Sequence, residues 1–155
     1  MSMKKQINTL PAPTWNYLRV NEAQESFLPA DIGSWETWKV QFPAELKPCV
    51  NPGLPDLKSG AGAAFDQFMD QNGQDKLQLT AEGDVSAPIL VESSLNRNSV
   101  LGTLELRVLP NSKVTILEIV RGDGTYASLF RIAAEKGAEV HLILEPGEPG
   151  SGLQF

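Results

Sequence analysis

Short apolar runs recur between residues 88 and 147 at nearly regular intervals, with turn residues between them. Residues 88–91, 103–109, 113–120, 125–133 and 138–145 each hold such a run. That spacing suits an all-β stack, either a sandwich or a β-helix. Within the runs the period is two, the alternation of side chains between the faces of a strand. Leu104, Leu106 and Val108 share one face, while Glu105 and Arg107 take the other. In the last run Ala138, Val140, Leu142 and Leu144 oppose Glu139, His141, Ile143 and Glu145. The alternation predicts Leu104, Leu106, Val108, Val140, Leu142 and Leu144 on the inside. Residues 113–120 are apolar on both faces, with Leu117 and Ile119 opposite Val114, Ile116 and Val120. A strand of that kind is expected to be covered on both sides. Gly83-Asp84, Pro110-Asn111, Gly122-Asp123-Gly124 and Lys136-Gly137 supply the turns.

The first part of the chain has a different character. Residues 1–60 hold seven of the eleven prolines and all three tryptophans, Trp15, Trp35 and Trp38. Proline fixes φ and lacks an amide donor, so loops and short helical pieces are expected there rather than a regular sheet. Residues 10–15 read as an extended opening, with Thr14 as a helix cap. The clearest helix lies over 60–73, where Phe65, Phe68 and Met69 stand at i, i+3 and i+4. Asp66, Gln67 and Asp70 fall on the other side, Ser59 is placed to cap the start, and Gly73 the end. The expected organisation is a loop and helix lobe over 1–75, the β region over 76–147, and a flexible tail of breakers over 148–155.

Composition narrows the function classes. The net charge is −6 and the pI near 4.8, so the electrostatic footprint of a nucleic-acid binder is missing. No apolar run approaches the ~20 residues that cross a bilayer, and Lys4-Lys5 is not followed by the apolar stretch of a signal peptide. One cysteine, Cys49, excludes an internal disulfide and any all-cysteine metal site within the chain. A soluble cytoplasmic protein is the expectation.

Few residues carry chemistry. His141, the sole histidine, falls on the charged face of its strand beside Glu139 and is read as an exposed strand residue, since no second ligand lies at metal spacing. Cys49 sits in a proline-rich loop with Lys47 as the only nearby cation, and is read as an incidental thiol. Asp66 and Asp70 are an i, i+4 acid pair assigned to a solvated helix face. Gly122-Asp-Gly-Thr lacks the Lys-Ser/Thr and the helix of a phosphate loop and is read as a turn. The tryptophans are expected to pack rather than to form a ligand box. No catalytic or metal-binding residues are assigned.

Two stretches carry a family likeness. The phrase Ile7-Asn-Thr-Leu-Pro-Ala-Pro-Thr-Trp-Asn-Tyr-Leu-Arg-Val-Asn-Glu22 resembles the beginning of SufD-like members of the SufB/SufD family of iron–sulfur cluster assembly proteins. In the β region Pro88-Ile-Leu-Val, Glu105-Leu-Arg-Val-Leu-Pro-Asn-Ser-Lys-Val-Thr-Ile-Leu-Glu118 and Arg131-Ile-Ala-Ala-Glu-Lys-Gly-Ala-Glu-Val-His-Leu142 resemble the family's order and spacing. The likeness implies the first coils of a right-handed parallel β-helix, preceded by a Pro/Trp-rich helical and loop lobe. A β-sandwich or jelly roll is the alternative fold. It further implies a non-enzymatic scaffold, or a truncated portion of one, acting with a SufB/SufD-type subunit and the ATPase SufC. The family's cluster-associated cysteine and histidine and its ATPase-binding segment match no position here, so Cys49 and His141 are not promoted. The chain alone is then expected to hold no cofactor, the cluster residing transiently on the full assembly, and to form a homodimer in isolation. The competing function is a free-standing cupin-like module that binds a small ligand.

Overall fold

The computed structural model describes residues 4–6, 22–24, 36–59, 63–72, 76–145 and 152–154. In chain order the elements are β1 (Lys4–Gln6), β2 (Glu22–Gln24), β3 (Glu36–Thr37), β4 (Lys39–Gln41), β5 (Lys47–Pro48), α1 (Ala63–Asn72), β6 (Lys76–Ala81), β7 (Ile89–Val108), β8 (Lys113–Ala134), β9 (Glu139–Glu145) and β10 (Gly152–Gln154). The fold is mainly β. Strands β1 and β2 pair antiparallel, and the other eight form one mixed sheet.

The backbone of that sheet is a run of parallel ladders. Strand β6 pairs with the second half of β7, β7 with β8 along its length, and β8 with both β9 and β10, all in parallel. Leu79 lies beside Leu106, which lies beside Ile132. Ile89 lies beside Ile116, which lies beside Leu142. Between β7 and β8 the register holds constant from the Ile89–Ile116 pair to the Asn96–Asp123 pair. It resumes a step shorter at the Ser99–Thr125 pair and then holds to the end of β7. The step falls at a bulge between Asn96 and Ser99, where Arg97 takes a φ of 56°.

Strand length shows that β7 and β8 bend. Twenty residues of straight strand would reach roughly 66 Å, yet Ile89 and Val108, at the two ends of β7, belong to one core cluster. One bend is built at Gly122 of β8, whose φ is 93°. A Cβ there would stand 2.0 Å from the Leu95 carbonyl oxygen on β7, so only glycine fits.

The inward positions are those the alternation selects. Leu79, Leu104, Leu106, Val108, Ile89, Val91, Val114 and Ile116 are fully buried. Val140 packs against the same core while remaining partly exposed. Leu142 and Leu144 depart from expectation: they are 45% and 44% exposed. Their parity is the inward one, but among the described residues no strand pairs with the outer edge of β9.

Helix α1 lays Phe65, Phe68 and Met69 on Leu101, Ala127 and Leu129, forming a second core cluster on the opposite face of the sheet from Leu104 and Leu106. Asp66 departs from its expected place on a solvated face. The Ser59 amide donates to Asp66 Oδ1 at 3.0 Å, so Asp66 is buried rather than solvated. Gly73 and Thr14 lie outside the described residues, as does most of the phrase 7–22.

The Pro/Trp-rich part is more sheet-like than its prolines suggest. Among the described residues before 60 there is no helix, and β3, β4 and β5 hydrogen-bond to the main sheet. Short extended pieces between prolines can join a sheet edge, where a missing donor does no harm, and Pro48 sits on the terminal strand β5. Trp38 is buried and stacks on Phe130 with ring centroids 5.6 Å apart. It also lies against Gly102, where a Cβ would meet the indole at 1.9 Å. Trp15 and Trp35 lie outside the described residues. Within the stretch read as a tail, Gly152–Gln154 pairs in parallel with Tyr126, Ala127 and Ser128. No helix among the described residues is long and apolar enough to cross a membrane.

Candidate functional site

The parity that buries Val114, Ile116 and Val120 also turns Glu118 inward. In the ladder Glu118 is flanked by Val91 on one side and Leu144 on the other. It is only 1% exposed. The Tyr126 hydroxyl, equally buried, donates a hydrogen bond to Glu118 Oε1. Ser93 and Ser128 are buried beside them. Among the described residues Glu118 Oε2, Ser93 Oγ and Ser128 Oγ make no well-formed hydrogen bond, although Ser128 stands near enough to act on Glu118, and both serines on Tyr126.

A buried carboxylate with half its acceptor capacity unused is costly in its charged form. Burial accordingly pushes the Glu118 carboxyl above the usual carboxylate range, while Tyr126 and Ser128 beside it act the other way. The Tyr126 phenol is driven well above its ordinary value, first by burial and then by the Glu118 charge. The pair can therefore hold a proton inside the core, or accept a cation that supplies what solvent no longer does.

Glu118 and Ser128 also line a cavity of about 360 Å³, whose apolar wall includes Phe130, Ile132, Leu142 and Leu144. That volume lies in the range of small-molecule pockets. Lys58 and Arg131 contribute to the lining as well. Both cations are already engaged: Lys58 meets Asp56 at 2.9 Å, and Arg131 meets Glu105 at 3.2 Å and Asp70 at 3.3 Å. The Glu105 contact belongs to an outward ladder in which Gln78 also donates to Glu105 at 2.7 Å.

The residues weighed from sequence do not converge. Cys49 is partly buried, with Sγ 3.5 Å from the Thr80 hydroxyl, and Lys47 turns instead to Glu82 at 3.2 Å. His141 is exposed, with Nε2 3.7 Å from Glu139 Oε2, and Glu139 also meets Lys113 at 3.0 Å. Asp70 bridges to Arg131 and Lys76. Gly122-Asp-Gly-Thr is a bend within β8 rather than a turn between strands. Among the described residues no group of three His, Cys, Asp or Glu stands close enough to hold a metal. Glu118 and Tyr126 were open to sequence reasoning through one signal: an acid in phase with Val114, Ile116 and Val120.

Searches against family models, curated proteins and solved structures return no match for this chain.

Proposed function

We propose that this chain is a cytoplasmic, non-enzymatic scaffold of iron–sulfur cluster assembly, wound as the first coils of a SufB/SufD-type right-handed β-helix. The observation that carries the proposal is the nearly constant advance along the chain between parallel partners in the ladders from β6 to β9, which changes by a single step at the Asn96–Ser99 bulge. A chain that completes one coil per advance meets itself in this way, and like residues stack in columns such as Leu79, Leu106 and Ile132. A jelly roll or cupin-like module pairs its strands antiparallel, and the parallel run from β6 to β9 weighs against that alternative.

In this proposal the work is done by surfaces. The free edge of β9 and the exposed Leu142, Ile143 and Leu144 offer a SufB/SufD-type subunit unpaired backbone beside apolar side chains. The cluster and the SufC contact belong to the complete assembly rather than to Cys49 or His141. Without that subunit, two copies of the chain pair through the same region.

Sedimentation of the chain with a SufB-type subunit, with and without SufC, tests this. A stable complex that is lost on Ile143→Glu, while the circular dichroism of the variant is unchanged, is the expected result. Absence of a complex at about 100 μM, well above a micromolar Kd, would overturn the proposal.

A further inference from the structure

We infer that the cavity holding Glu118 is a binding site for a small organic ammonium, a primary amine carried on an apolar body. Three observations converge on that class. The cavity is walled mainly by apolar side chains, including Phe130, Ile132, Leu142 and Leu144, which suit a hydrocarbon or aromatic body. Among the described residues, polar atoms that lack hydrogen-bond partners come from three residues lining it: Glu118 Oε2 and Ser128 Oγ, both acceptors on side chains 1% and 0% exposed, and Arg131 Nε. Of the cations nearby, Arg131 is paired with Glu105 and Asp70, and Lys58 meets Asp56 in an exposed pair. Glu118 is thus the acidic group of the lining that has no cation.

An ammonium group fits this lining better than other head groups. It brings three donors and no acceptor. One can meet Glu118 Oε2 and another Ser128 Oγ, while Tyr126 keeps its own bond to Oε1. A charge-assisted bond of this kind is stronger than a neutral one, and more so away from water. An alcohol of the same length fills the apolar wall equally but supplies one neutral donor. A carboxylate would bring a second negative charge beside Glu118, while the terminal nitrogens of Arg131 are held by Glu105 and Asp70 and only its Nε is left without a partner among the described residues.

The test uses the whole chain and three probes of equal length: hexylamine, hexan-1-ol and hexanoate, compared by calorimetric titration at neutral pH and fixed ionic strength. Hexylamine is expected to bind about tenfold more tightly than hexan-1-ol, and hexanoate the most weakly. Glu118→Gln, nearly isosteric, should erase the gap between amine and alcohol. Leu144→Trp should fill the cavity and weaken amine and alcohol together. Equal binding of amine and alcohol, no binding of either, or an amine preference that survives Glu118→Gln would overturn the inference. Should Glu118→Gln fail to fold, Leu144→Trp decides: amine binding as tight as in the unmodified chain rules the cavity out. The scaffold proposal is untouched by such a failure, because it stands on strand pairing and on complex formation.

Discussion

Leu104, Leu106 and Val108 on β7 and Leu142 and Leu144 on β9 carry the same alternation, yet their surroundings differ sharply. The first three are fully buried, with a parallel neighbour on each side and Trp38, Phe130 and Ile132 in the same cluster. The last two are nearly half exposed and, among the described residues, pair with β8 alone. Period two therefore says which face a side chain occupies. Whether that face is covered depends on a neighbouring strand far along the chain, which local pattern does not report.

The contrast is easiest to break by truncation. Leu106→Ala should cost about 2–5 kcal/mol, because it opens a cavity between two flanking strands. Leu142→Ala should cost under about 1.5 kcal/mol, since part of its surface already lies in water. Urea unfolding of both variants measures this. Equal losses would mean that β9 is as well covered as β7.

A second, smaller effect probes how tightly the covered region is packed. Gly102→Ala drives a methyl into the Trp38 indole and should destabilise by about 1–3 kcal/mol. Adding Trp38→Leu should recover part of that loss, so that the pair is non-additive. Strict additivity would separate the two positions.

The third prediction contrasts the acid inside with those outside. Glu118 holds its proton more tightly folded than unfolded, so its contribution to stability is fully present below the unfolded pKa. It is lost as pH rises through the raised, folded value. Unfolding midpoints of Glu118→Gln should consequently lack a downward slope that the parent chain shows above the ordinary carboxylate range. An identical pH profile for both proteins would remove Glu118 from the core. The smallest effect is expected at the exposed end. Lys113 holds the Glu139 carboxyl below its usual range, but the pair lies in solvent, and Glu139→Gln should leave the midpoint within error.

Much of this was legible in the sequence, and the rest was hidden for physical reasons. The alternation identified the inward residues of β7, and Phe65, Phe68 and Met69 marked α1, because each signal is local to one element. Asp66 was misplaced because its burial goes with a hydrogen bond from the Ser59 amide, which lies outside the helix. The continuity of β8 through Gly122–Gly124 reads from sequence as a turn, since residues that bend a strand also end one. Strand β5 looked like a loop because proline excludes a central strand but not an edge. Glu118 shared the phase of Val114, Ile116 and Val120, but an acid in an apolar row is ordinarily solvated, and its partner Tyr126 is supplied from beyond the Gly122 bend.

The central claim is that the chain lies parallel to itself, each coil set against the next in a nearly constant register. Nuclear Overhauser contacts in an isotope-labelled sample measure this directly. Backbone contacts linking Leu79 to Leu106, Leu106 to Ile132, and Ile89 to Ile116 are predicted. A hairpin about Pro110-Asn111 would instead bring Leu106 opposite Thr115, and that contact, with the first three absent, would contradict the account.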